Sequence, residues 1–81
     1  MKLSKKLIKS HIPSEYFDGS RLKGLSLTRN SYSLSCNTRG EEYRLLTDSS
    51  NPLLGLLSES FQVKYVKHFW WHWSEYTIRL K

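Results

Sequence analysis

The stretch from Val63 to Trp73, VKYVKHFWWHW, contains all three tryptophans and two of the three histidines of the chain. Aromatic side chains bury about 150–250 Å² each and dominate the energetics of cores and interfaces. So dense an aromatic run therefore predicts either the core of a small protein or a surface that contacts a partner. How this stretch folds decides the architecture of the chain.

Two structures fit the last twenty residues, from Gln62 to Lys81. A helix would carry one apolar stripe, formed by Val66, Phe69, Trp73, Tyr76 and Leu80. In a strand, the apolar side chains occupy odd positions up to Trp73 and even positions after Ser74. A phase change of one residue is typical of a turn or a bulge, and β-branched and aromatic residues favour strands. We therefore predict two strands that break near Trp73-Ser74-Glu75.

The strand interpretation divides the side chains of this stretch between two faces. Phe69, Trp71 and Trp73 are expected to point inward. The opposite face is expected to remain available to a partner and to carry Lys64, His68, Trp70 and His72. Of these residues, Trp70 is the one for which a functional role is most expected.

The segment before this stretch predicts a short helix from Pro52 to Ser60. Polar residues from Asp48 to Asn51 can cap its start, and proline suits the first turn. Leucines follow at helical spacing and form one broad apolar face. Gly55 costs about 1 kcal/mol relative to alanine, so we expect packing against a sheet to hold this helix.

Three segments with alternating apolar and polar residues precede the helix. They are centred on Leu25–Thr28, Ser31–Cys36 and Glu42–Leu46, and turn residues separate them. This spacing predicts a three-stranded antiparallel meander. A turn is also predicted at Asp18-Gly19.

The N-terminal segment from Lys2 to Ile12 predicts a short amphipathic helix that Pro13 ends. A tail docked by a few apolar side chains fits the same residues. The predicted fold is thus α+β, as one small domain over residues 1–81. It consists of an N-terminal helix, the meander, a short helix and a C-terminal aromatic β-segment.

Composition restricts the class of partner. The chain has 81 residues and a net charge of +6, which favours an anionic partner such as nucleic acid, lipid headgroups or an acidic protein surface. Cys36 is its single cysteine, so no intrachain disulfide forms. No apolar run approaches the length of about 20 residues that a membrane span needs, and we predict a cytoplasmic protein.

The residues that could carry chemistry are few. His68 and His72 have the spacing of two metal ligands, but metal sites usually need three or four protein ligands. The chain also has no HExxH element, no glycine-rich phosphate loop and no GxSxG element. We therefore predict a non-enzymatic protein without a metal or a cofactor.

Binding is the function that the residue pattern favours. Basic side chains beside aromatic rings suit single-stranded nucleic acid, because the cations neutralise phosphates and the rings stack on bases. A regulatory protein–protein module with a tryptophan-centred face is the alternative. The last strand can also leave an open edge that pairs with a second copy to form a homodimer. The residues predicted to contact nucleic acid are Lys2, Lys5, Lys6, Lys9, Lys64, Lys67, His68, Trp70 and His72.

Overall fold

A computed structural model of the chain describes residues 3–29 and 42–81. Within these ranges the chain forms two short helices and six strands, and a 3-10 turn spans Ser14–Tyr16. The α+β class is therefore confirmed. The elements are α1 (Lys5–Lys9), β1 (Phe17–Asp18), β2 (Arg21–Leu22), β3 (Leu25–Arg29), β4 (Tyr43–Asp48), α2 (Leu53–Ser60), β5 (Phe61–Trp70) and β6 (Trp73–Leu80).

In the described part of the chain the main sheet has four antiparallel strands in the order β3-β4-β6-β5, and β1 and β2 form a separate two-stranded ribbon. The predicted strand order of the meander is wrong, because β3 pairs directly with β4, with Leu27 opposite Leu45. Alternation shows which side chains of a strand share a face, but it does not identify the neighbouring strand. The predicted middle strand, Ser31–Cys36, lies outside the described residues.

The C-terminal residues form two strands, so the helical alternative is excluded. The chain reverses at Trp71 and His72, whereas the sequence predicted a break near Trp73-Ser74-Glu75. The register of β5 against β6 also shifts twice, between Tyr65 and Lys67 and between His68 and Trp70. Each bulge changes by one residue which side chains of β5 face the core. The change of alternation that the sequence shows at Ser74 is therefore not the position of the turn.

The core lies between the helices and one face of the sheet, which we call the helix face. Side chains alternate along β4 and β6, so that Leu45 and Ile78 are fully buried on this face. Leu53 and Leu57 of α2 pack in the same cluster. The predicted helix from Pro52 to Ser60 is thus confirmed to within one residue, and it covers the sheet as expected.

Helix α1 is shorter than the predicted segment from Lys2 to Ile12. The Ser4 side chain begins it, since Ser4 Oγ accepts a hydrogen bond from the Leu7 N–H at 3.1 Å. After Lys9 the Ile12 N–H bonds to the carbonyl three residues earlier, which tightens the chain before Pro13. Ile8 and Ile12 nevertheless anchor this segment in the core.

A polar network fixes the chain where β4 leads into α2. The buried Thr47 hydroxyl donates to the Gly24 carbonyl at 3.1 Å and accepts from the Asn51 amide at 3.1 Å. Asn51 Oδ1 accepts from the Leu53 N–H at 2.9 Å and from the Tyr16 hydroxyl at 2.9 Å. Asn51 therefore caps α2 and also ties it to the N-terminal segment.

The predicted turn at Asp18-Gly19 is also confirmed. Asp18 pairs with Arg21, and Gly19 takes the left-handed conformation with φ 68°. Neither of the helices in residues 3–29 and 42–81 has the length and apolar character to cross a bilayer. The cytoplasmic location and the extent of the domain over residues 1–81 stay predictions.

Candidate functional site

The second face of the sheet carries mostly polar side chains, and we call it the polar face. Residues directly opposite each other on paired strands share a face. Arg44 is opposite Thr77, which is opposite Lys64 on β5. The polar face includes Ser26, Thr28, Arg44, Leu46, Glu75, Thr77, Arg79, Gln62, Lys64 and Lys67.

The end of β5, the loop and the start of β6 form an aromatic hairpin, residues 64–73. Its rings are strongly exposed: Tyr65 by 58 %, Phe69 by 46 %, Trp70 by 70 % and Trp71 by 76 %. The expectation that Phe69 and Trp71 point inward is therefore wrong. Trp73 is half-buried, but it lies opposite Asp48 on the polar face and not in the core. Large clustered apolar side chains at a surface mark a contact site, so the aromatic hairpin is the candidate functional site.

The two bulges in β5 explain how these side chains are distributed. Lys64 is opposite Thr77 on the polar face, whereas His68 is opposite Ser74 on the helix face. Lys64, His68, Trp70 and His72 were predicted to share one face, and this prediction is wrong because the first bulge lies between Lys64 and His68. All of them are exposed, however, so they border one surface that wraps around the sheet edge.

The contact of Phe69 with Arg44 shows that the Phe69 ring lies on the polar face. The guanidinium carbon of Arg44 is 5.3 Å from the centroid of the Phe69 ring, which is within the range of a cation–π interaction. Arg44 Nε is also 3.4 Å from Glu75 Oε2. Sequence reasoning missed this contact, since it requires β4 and the bulged part of β5 to lie on either side of β6.

The loop of the hairpin holds Trp71 in a strained backbone conformation. Trp71 has φ 57° and is the one residue other than glycine with a positive φ in the described ranges. A bulky residue rarely adopts this conformation, which costs free energy. Trp71 is also the most exposed of the large apolar side chains in the described residues. Its burial therefore does not offset the cost of this backbone conformation, and stability of the fold does not account for a tryptophan at this position.

The next loop residue, His72, faces the end of β4. His72 Nδ1 is 3.8 Å from Asp48 Oδ2. The Asp48 carboxylate accepts hydrogen bonds from the Ser50 N–H at 2.9 Å and from the Ser50 hydroxyl at 2.8 Å. These bonds, with a smaller contribution from the charge of His72, lower the pKa of Asp48 below its usual value of 3.8.

The charge of the aromatic hairpin is positive. Residues 64–73 include Lys64, Lys67 and two histidines but no aspartate or glutamate. Of the carboxylates beside the hairpin, Glu75 is paired with Arg44, and Asp48 contributes one negative charge against the two lysines. An anionic ligand therefore meets a favourable potential at this surface.

The structure does not bring the predicted N-terminal lysines to this surface. Lys5, Lys6 and Lys9 belong to α1, which contacts β3 at the opposite edge of the sheet from β5. The His11 ring lies 5.0 Å from the ring of Phe61, at the start of β5. Trp70 lies nine positions after Phe61, which is a distance of up to about 30 Å along a strand. Lys2 lies outside the described residues.

The described residues contain no group of three or more histidine, cysteine, aspartate or glutamate side chains that could hold a metal ion. His68 projects from a strand and His72 from the loop. What the site offers is exposed aromatic surface with cations around it. Comparison with protein-family models, with curated proteins and with solved structures finds no match, so the case for a function rests on this geometry.

Proposed function

We propose that this protein binds single-stranded nucleic acid, without catalysing a reaction, through the aromatic hairpin and the adjoining polar face. The observation that carries the proposal is the combination of exposed rings with cations in one stretch of chain. Trp70 and Trp71 are exposed by 70 % and 76 %, and Lys64, Lys67 and His68 are exposed beside them.

Stacking supplies one part of the affinity. Each base that stacks on an aromatic side chain contributes about 1–3 kcal/mol. Phe69 adds a third ring, which its contact with Arg44 positions. Stacking requires bases whose faces are accessible, and a single strand offers such bases, whereas a duplex hides them inside its base-pair stack.

Phosphate contacts supply the other part. Lys64 and Lys67 are exposed on the polar face, and among the described residues neither makes an ion pair. Their ammonium groups are therefore available to displace counterions from a strand. The lysines of α1 lie away from the hairpin and add only to the general attraction.

A salt titration tests the proposal. Binding of a fluorescently labelled single-stranded oligonucleotide is measured by anisotropy over a range of salt concentrations. The logarithm of the binding constant should fall linearly with the logarithm of the salt concentration, with a slope of about −0.7 for each phosphate contacted. Lys67→Gln should reduce the magnitude of this slope by about 0.7.

Lys5→Gln is the matched control, because Lys5 is also an exposed lysine but belongs to α1. It removes the same charge from the whole molecule and should leave the slope unchanged. Equal effects of Lys5→Gln and Lys67→Gln would show that net charge, and not the hairpin, attracts the strand. Absence of binding at low salt would reject the proposal.

A protein partner is the second candidate, and the position of β5 favours it. β5 lies at the edge of the sheet that the described residues form, and an extended acidic peptide can add to its regular part, Phe61 to Tyr65, which precedes the bulges. The cations around the hairpin would require an acidic partner surface, and tryptophan is a frequent anchor of protein interfaces. Such binding should depend on salt much less steeply than oligonucleotide binding does.

A further inference from the structure

A cavity of about 420 Å³ opens beside the aromatic hairpin, where β5 and β6 run together. This volume falls within the range of about 300–1,000 Å³ that is usual for small-molecule sites. The cross-strand pairs Gln62–Arg79 and Lys64–Thr77 place four polar side chains at its walls. The other lining residues are Glu42, Tyr65 and Val66.

The cavity contains a guanidinium group that is held in place. Arg79 Nε donates to Glu42 Oε1 at 2.8 Å, and Arg79 Nη2 contacts the same oxygen. The Glu42 side chain is only 4 % exposed, whereas that of Arg79 is 55 % exposed. The buried carboxylate therefore fixes the arginine and leaves about three of its five N–H donors for another partner.

The remaining hydrogen-bond donors of the cavity suit an oxyanion as the ligand. Lys64 brings a second cation, and Thr77 and Gln62 can add neutral hydrogen bonds. Because Arg79 already neutralises Glu42, the charge that remains unbalanced in the cavity is that of Lys64. Arginine and lysine together are the usual ligands of phosphate groups.

The cavity also adjoins the surface along which a strand is proposed to lie. Tyr65 borders the cavity, but its ring packs edge-on against Tyr76 at a centroid distance of 5.7 Å, on the helix face of the sheet. The four polar side chains of the cavity instead lie on the polar face, where Lys67 continues the row of cations towards the hairpin. The cavity thus supplies phosphate contacts, and stacking on bases is left to the exposed rings of the hairpin.

We propose that this cavity binds a nucleotide phosphate, carried either by the end of a bound strand or by a free mononucleotide. The first form rests on the proposed single-strand binding, and the second does not. Gln62, Lys64, Thr77 and Arg79 hold the phosphate from the polar face of the sheet. The cavity therefore adds a terminal subsite to the surface formed by the aromatic hairpin.

Oligonucleotides of one sequence, with a 5′-phosphate, a 3′-phosphate or hydroxyl groups at both ends, test the first form. One terminal phosphate should tighten binding by about tenfold, which is the effect expected of a charge-assisted hydrogen bond. Lys64→Gln and Thr77→Val should abolish this tightening. Lys67→Gln is the matched control, because Lys67 is on the same strand but does not line the cavity; it should weaken binding of all three oligonucleotides equally.

Titration of AMP and of inorganic phosphate by calorimetry tests the second form. AMP and inorganic phosphate should both bind, Lys64→Gln and Thr77→Val should weaken the binding of both, and Lys67→Gln should leave it unchanged. All variants are compared by circular dichroism and by their urea midpoints. Arg79→Lys keeps the charge beside the buried Glu42 and serves as a further cavity variant if its midpoint is close to that of the wild type.

The outcomes separate the two proposals. Oligonucleotide binding without any effect of a terminal phosphate, together with no binding of AMP, would overturn the cavity proposal and leave the proposed function standing. A tightening that survives Lys64→Gln and Thr77→Val would also overturn it. AMP binding that depends on Lys64, without binding of any oligonucleotide, would support the cavity and reject the single-strand function.

Discussion

Arg79 of β6 pairs with Glu42, the residue that precedes β4, and the two side chains differ in burial. Arg79 Nε lies 2.8 Å from Glu42 Oε1, while the Glu42 side chain is 4 % exposed and that of Arg79 is 55 % exposed. A buried carboxylate that loses a charged partner keeps the cost of its desolvation but not the attraction that offset it. The contribution of this pair to stability therefore depends on which of the two residues is removed.

Arg79→Ala should lower the free energy of unfolding by about 1–3 kcal/mol, because it removes the hydrogen bond and the ion pair that Arg79 makes with the buried Glu42. Urea denaturation measures this change. Arg21→Ala, at an exposed position in β2, should have an effect of less than about 0.5 kcal/mol. The double variant Glu42→Gln with Arg79→Ala should be destabilised by less than the sum of the two single variants, and strict additivity would contradict the coupling.

Trp70→Ala should weaken binding of a single-stranded oligonucleotide by about 1–3 kcal/mol and leave the fold intact. The reason is that the ring is 70 % exposed and contributes little to the core. Anisotropy gives the binding constant, and circular dichroism monitors the fold. Leu56→Ala removes an exposed apolar side chain from α2 and should change neither quantity; if both variants weaken binding equally, the hairpin is not the specific surface.

Trp71→Gly should raise the stability of the protein by about 1 kcal/mol, because glycine adopts a positive φ without the steric cost that tryptophan bears. The same variant should weaken oligonucleotide binding, since it removes an exposed ring. A urea denaturation curve and an anisotropy titration measure the two effects. Loss of stability would instead show that the Trp71 ring packs usefully against the hairpin.

Acid should weaken the fold partly through Asp48. Its pKa is lowered in the folded protein by the hydrogen bonds from Ser50. The contribution to stability is thus fully present above the unfolded pKa, near 3.8, and is lost as the pH falls through the lower folded pKa. Thermal unfolding between pH 7 and pH 2.5 measures this loss. Asp48→Asn should be less stable than the wild type at pH 7, and the difference should shrink towards pH 2.5; a constant difference would exclude this linkage.

Homodimer formation through β5 would place the lysines of two hairpins side by side. Lysines and bulges on an edge strand oppose pairing with a second copy, and β5 has both between Lys64 and Trp70. We therefore expect light scattering at micromolar concentration to return the monomer mass of 9.6 kDa. A mass twice as large, reduced to the monomer by a charge change at Val66→Lys, would establish the homodimer.

The sequence by itself determined the local elements. Asn51 and Pro52 with the leucines that follow specify α2, because capping and helical periodicity involve residues that are close in the chain. The alternation of Tyr43 and Leu45 with their polar neighbours likewise specified β4. The aromatic content of residues 63–73 identified the stretch that forms the candidate site.

Only the tertiary structure decided which elements are neighbours and where the side chains of the hairpin lie. The β3–β4 pairing, the bulges that bring Phe69 to Arg44, and the cavity of Glu42 and Arg79 all depend on register between segments that are distant in sequence. Alternation repeats every two residues and carries no information about the partner strand, and a bulge reverses it without any specific residue type. The separation of the α1 lysines from the aromatic hairpin has the same origin, because the order of strands in the sheet sets the distance between its two edges.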